Sequence, residues 1–191
     1  MVHVEVEDIF AHDSVQLPEV SERLQYALRN IQFARRYMKS LLVGLSEDDW
    51  FWTPADSTAK FTTHVAWQVG HLAMAEYGLL LFRQRGRVRE IDKNLMSAKF
   101  RKLFLRGTEP TPDREAYPSP SEILEVLDGV RERAMLEVPG FDGESLDEPC
   151  EAPHAAFATR MGAILFAADH EMIHTGQIGL LRRLMGKPPL R

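Results

Sequence analysis

Apolar residues recur at steps of three and four along four long segments of this chain, the spacing that gathers side chains on one face of an α-helix. In the first segment, from about Pro18 to Leu45, Leu24, Leu28, Ile31, Met38, Leu42 and Leu45 keep the step; Arg35 breaks it and Ala34 fills the gap. In the second, Phe61 to Gln84, one face carries Phe61, Val65, Val69, Leu72, Glu76, Leu79 and Leu80. An adjoining face carries His64, Gln68, His71, Ala75 and Gly78. The third opens on Ser119 as N-cap, Pro120 as first helical residue and Glu122 as reciprocal partner, a capping box. Its stripe is Ile123, Leu124, Leu127, Val130 and Ala134, and Pro139-Gly140 stops it. The fourth runs from Phe157 or Thr159 to Met185, and Gly186 before Lys187-Pro188-Pro189 ends it. On its broad face Ile164, Ala167, Ala168, Ile178, Leu181 and Met185 sit with His170 and His174. Four amphipathic segments predict an all-α four-helix bundle, read as one domain over residues 1–191, with a long crossover connection between helices two and three.

The connections carry their own signals. Residues 1–17 have no clear period and read as an arm, with His3 and His12 on its surface. Gly44 and Ser46-Glu47-Asp48-Asp49 mark the first turn, and Trp50, Phe51 and Trp52 after it are expected to cap one end of the core. Residues 87–118 form a basic, then proline-rich connection, in which Leu95, Lys99, Phe100, Lys102, Leu103 and Phe104 suggest one short amphipathic helix. A connection this long is often functional. Residues 139–156 read as a second proline- and acid-rich connection containing His154.

Composition narrows the function. The net charge of −5 gives no global reason to bind nucleic acid or an anionic membrane. It is unevenly spread: residues 83–106 carry +7 and the remainder −12. The basic stretch reads as a solvated lid or interface, with an anionic substrate as the sharper alternative; no nucleic-acid motif accompanies it. A lone cysteine, Cys150, rules out a disulfide within the chain, and the acidic start from Met1 to Phe10 is no signal peptide, so a cytoplasmic home is expected. Apolar runs such as Leu79–Phe82 are far too short to span a bilayer. Glu148 and Glu151 beside Cys150 would raise its pKa, against a nucleophilic role.

The histidines carry the chemistry. His170 and His174 project from one helix face about 6 Å apart, which suits two imidazoles on one divalent ion. His71, mid-helix among apolar and small residues, offers a third ligand from a neighbouring element. His64 lies seven residues before His71, about 10 Å along the axis and too far to share the ion, so an exposed or capping role is expected. His154 stands roughly 24 Å from His170 if the fourth helix separates them. His170-Glu171-x-x-His174 also matches a zinc-protease signature, in which the glutamate activates water. No Asp, Glu or His follows His174, so the downstream ligand of that class is missing. Glu171 and Gln177 remain as candidates to orient a ligand or a water, and no catalytic residue is assigned. Gly176 is expected to permit close helix approach.

His71-Leu72-Ala73 with Glu76, and His170-x-x-x-His174-x-Gly176-Gln177-Ile178 with Arg182 and Gly186-x-Pro188-Pro189, resemble the DinB-like superfamily. So does the Leu45-Ser46 to Trp52-Thr53-Pro54 turn, and the likeness runs from about Val20 to Pro189. The resemblance implies a bundle with a long crossover, often dimeric, that binds nickel or zinc through His71, His170 and His174. Relatives of this kind use the metal with low-molecular-weight thiols, as bacillithiol S-transferases or mycothiol-dependent isomerases, and are not DNA polymerases. Three histidines leave the ion open to a thiol or a water. The expected function is therefore a divalent-metal-dependent enzyme, a thiol S-transferase on small electrophiles. A non-catalytic metal-binding bundle is the alternative and a metal-dependent hydrolase a third reading. A small-molecule substrate and a homodimer are the expected partners.

Overall fold

The computed structural model describes residues 19–54 and 63–188, the side chains of 151–153 excepted. The expectations for the arm of residues 1–17, with His3 and His12, and for Phe61 lie outside the described residues. Four long helices build the bundle: α1 (Glu22–Leu42), α3 (Val65–Glu76), α6 (Pro120–Glu137) and α7 (Arg160–Leu184). Between them come the short helices α2 (Glu47–Phe51), α4 (Arg89–Leu95) and α5 (Ala98–Phe104). An antiparallel hairpin, β1 (Pro149–His154) and β2 (Phe157–Thr159), leads into α7. Helix α1 lies on α7, α7 on α3, and α3 on α6. Leu24, Leu28, Ile31, Val69, Leu80, Ile123, Leu127, Ile164 and Ile178 fill the space between them. Among the described residues no helix is long and apolar enough to cross a membrane.

The ends follow local chemistry. Ser119 and Glu122 form the expected capping box at α6, and Ser46 with Asp49 forms a second at α2. That short helix buries Trp50 and Phe51, so the aromatic cluster does close one end of the core. Thr159 caps α7 by accepting from the Gly162 amide at 3.1 Å. After Glu76 the chain of α3 widens into a π-helical stretch, Tyr77–Phe82, before ending at Arg85. Gly86 turns the chain there at φ +73.

Three expectations change. The basic crossover holds two short helices rather than one, and Phe100 and Phe104 of α5 are buried against the bundle. Arg85, from the same stretch, pairs with Asp92 at 2.8 Å and with Glu137, so part of the basic charge is structural. The connection at 139–156 folds into the hairpin, which turns back along α7. Phe166 stands 5.4 Å from the His154 ring and 5.8 Å from the His170 ring, so the 24 Å separation does not hold. Finally, Gly176 is exposed with nothing within 4 Å of a built Cβ. The close approach belongs to Gly70, where a Cβ would lie 2.5 Å from the Phe104 ring.

Arg35 breaks the stripe of α1 for a reason. Its Nε donates to Glu171 and its Nη2 to Glu76, both at 2.5 Å. Arg131 of α6 completes a ring, donating to Glu171 at 2.8 Å and to Glu76. Two guanidiniums and two carboxylates thus join all four long helices inside the core. Burial opposes ionisation of Glu76, and the charges of Arg131 and Arg35 overcome it, holding the carboxyl below its usual range. Arg131 Nη1 also reaches the Ile31 carbonyl at 3.0 Å, which ties α6 to α1.

Candidate metal centre

His71 on α3 and His170 and His174 on α7 face one another across the helix pair, and their candidate ligand atoms lie within 4.8 Å of one another. Ring centroids are 5.4 Å apart for His71 and His170, 4.8 Å for His71 and His174, and 4.6 Å for His170 and His174. Nitrogens sharing one ion at about 2.1 Å each stand no more than about 4.2 Å apart, so a small rotation of the rings suffices. Among the described residues this is the only cluster of three or more metal-ligating side chains. Its members are the three histidines named from the sequence.

Each buried ring has a partner behind it. Carbonyl oxygens only accept, so the His71 Nδ1–H donates to the Phe104 carbonyl at 2.8 Å and leaves Nε2 with its lone pair. Gln68 accepts from the His174 Nδ1 through its amide oxygen, and its amide nitrogen donates to Thr63 at 2.8 Å. That relay fixes the tautomer of His174 in the same sense. Trp67 stacks on His71 at 4.8 Å with the rings 6° from parallel, and its indole N–H donates to Thr108 at 2.9 Å. The crossover is therefore not a detached lid: its Phe104 carbonyl and its Thr108 hydroxyl hold the ligand helix.

Electrostatics favour the neutral, ligating form of all three rings. Burial lowers the His170 pKa to about 4, with smaller effects from His71 and His154. Burial lowers His174 to about 3, helped by His170 and His71. For His71 burial also lowers the pKa; the Phe104 carbonyl opposes this and Arg106 adds to it. Neutral imidazole suits a borderline divalent ion.

The nearby residues able to close a coordination shell lie outside the cluster or are engaged by arginine. His64 caps α3, its Nδ1 accepting from the Trp67 amide at 3.1 Å. It is fully buried rather than exposed and stands outside the cluster. Glu76 and Glu171 are each held by two arginines. Glu171 adjoins His170 in the chain and shares with it a cavity of about 10 Å³, but its carboxylate faces the guanidiniums. This placement removes the water-activating role of the protease signature.

Of the three histidines, His174 lines a pocket of about 400 Å³. Gln68, Trp67, Gln177 and the loop residues Thr108 and Glu109 line it as well. Gln177 is exposed there. Cys150 is buried on the hairpin with its pKa raised by burial, away from this chemistry.

Two contributors were missed in the sequence. Gln68 lies three residues before His71 on the same helical face, a spacing that could have marked it as a partner of the site. The Phe104 carbonyl is backbone and leaves no side-chain signal.

No curated protein matches the chain. The family model of the DinB superfamily matches residues 30–178, a span that holds all three histidines, and the chain belongs to the DinB superfamily.

Proposed function

We propose that the protein binds one divalent ion, nickel or zinc, through His71, His170 and His174, and that it is a metal-dependent enzyme transferring a small thiol to an electrophile. The observation that carries this reading is the pairing of three convergent imidazoles with a 400 Å³ pocket against His174 and Gln177. A structural ion would call for a fourth protein ligand. Among the described residues, His64 lies outside the cluster, and Glu76 and Glu171 are committed to Arg35 and Arg131.

When bound, such an ion would acidify a thiol or a water that approaches it at neutral pH. The chain's own residues do the rest. Gln68 and the Phe104 carbonyl hold two of the rings in one tautomer, so the ligand set is arranged before a reactant arrives. Trp67 offers an apolar wall to the body of the substrate. Gln177 lines the pocket with an amide that can orient the substrate's polar end. Among the described residues no arginine or lysine lines the pocket, so the basic crossover does not supply an anion site there.

The test is turnover. The metal-loaded protein is assayed with a panel of low-molecular-weight thiols and a chromogenic electrophile, beside His170→Ala. Thiol-dependent conjugation well above that variant supports the transferase. No difference from the variant, with one ion bound per chain, would favour the non-catalytic bundle; hydrolysis of an activated ester without thiol would favour the hydrolase.

A further inference from the structure

We infer that the groove between α1 and α7 is a second ligand site, built for a small carboxylate with a short apolar body. It lies on the other side of α7 from the metal centre: Met172 and Gly176 each stand about 160° around the helix from His174. The groove has a volume of about 250 Å³ and is walled by Tyr37, Leu41, Met172 and Gly176, with Arg182 and Arg183 in its lining.

Arg182 is what makes this more than an apolar crease. It is 5% exposed, rare for an arginine. Its Nη1 donates to the carbonyls of Leu41 at 2.8 Å and Val43 at 2.9 Å. Its Nε is buried with no partner, and no described group accepts from its Nη2. Among the described residues no carboxylate pairs with it. Asp49, which acts on it through space, is engaged by Lys187 at 2.6 Å.

The contrast with the core ring is direct. Arg35 is as enclosed and Arg131 nearly so, and each has at least two carboxylates. Arg182 has two carbonyls and no counter-charge, while Arg183 adds a second positive group beside it. A buried cation without an anion is costly unless one is supplied. A carboxylate can approach Nη2, the guanidinium nitrogen that has no acceptor among the described residues and is not fully enclosed, and the walls accept methylene or aromatic carbon. The volume is below that of drug-sized pockets, which sets the ligand at the scale of hexanoate or benzoate.

Hexanoate and its uncharged counterpart hexanamide are the probes, titrated against the full metal-loaded chain. The readout is the Met172 methyl resonance in methionine-labelled protein, assigned with Met172→Leu. Saturable binding of hexanoate, at least about tenfold tighter than hexanamide, is expected. Gly176→Phe should abolish it, because open space at Gly176 lets the ring enter the groove without disturbing the core. Arg182→Met should weaken it by about tenfold or more. Since Arg182 also holds the end of α1, Gly176→Phe is the variant that separates ligand loss from misfolding, with metal content and melting temperature unchanged. Equal binding of both probes, no saturable Met172 shift, or binding that survives Gly176→Phe would overturn the site. So would a second copy of the chain that covers the groove and excludes hexanoate.

Discussion

Replacing Glu171 with glutamine separates the two readings of the His-Glu-x-x-His sequence. In the structure Glu171 accepts from Arg35 at 2.5 Å and from Arg131 at 2.8 Å, inside a ring of two cations and two anions. Glu171→Gln keeps the volume and removes one anion, leaving two guanidiniums with Glu76 alone. Removing one partner of a buried pair costs about 3–5 kcal/mol. Arg131 retains 12% of its side-chain exposure, so water can relieve part of that charge and the lower end, about 3 kcal/mol, applies. For a chain of this size each kcal/mol moves the melting temperature by about 2–4 °C, giving a fall of about 6–12 °C. Urea denaturation and thermal melts measure the loss, and metal analysis of the same samples should still find one ion per chain. Adding Arg131→Met to Glu171→Gln restores charge balance and should recover a large part of the stability, as neutral replacements of buried ion pairs do. A loss under about 1 kcal/mol, or loss of metal without loss of stability, would refute the placement of Glu171 in a structural ring.

Further outcomes follow from the same geometry. Gly70→Ala places a methyl 2.5 Å from the Phe104 ring, so α5 must shift and its carbonyl must loosen its hold on His71. Chelator competition should show metal affinity falling by about 10–100-fold, with about 1–3 kcal/mol of stability lost to overpacking. Gln68→Ala frees the His174 ring and should cost a similar 10–100-fold in affinity, roughly, while melting temperature changes little. In metal-free protein, His170 and His174 titrate at about 4 and about 3 when folded, below the ordinary histidine value of 6.5. Because the unfolded chain binds the proton more readily, their contribution to stability is whole above pH 6.5 and declines as pH falls toward 4. Denaturant midpoints across that range should drop in the metal-free protein, and a flat profile would contradict the burial of these rings.

Much of the architecture was legible because apolar periodicity and caps are local signals. The capping box of Ser119 and Glu122, the aromatic end-cap at Trp50 and Phe51, and the His170–His174 pair are all written in short spacings. What escaped has one physical character: it depends on which elements meet. Arg35 looked like a fault in a stripe because its two acids lie 41 and 136 residues away. The hairpin that brings His154 toward Phe166 is invisible to a rule that measures distance along a helix. The close approach expected of Gly176 belongs to Gly70, since only the folded chain shows which glycine faces a ring. Gln68 was visible on the histidine face, but its bond to His174 crosses from α3 to α7.

The proposed chemistry depends on His71, His170 and His174 taking up one ion. Metal analysis of the full chain, stripped with chelator and then repleted with nickel or zinc, tests this most directly, with His71→Ala beside it. One ion per chain, lost or greatly weakened in His71→Ala, is the predicted result. Well under one ion per chain after repletion, or full loading of His71→Ala, would contradict it.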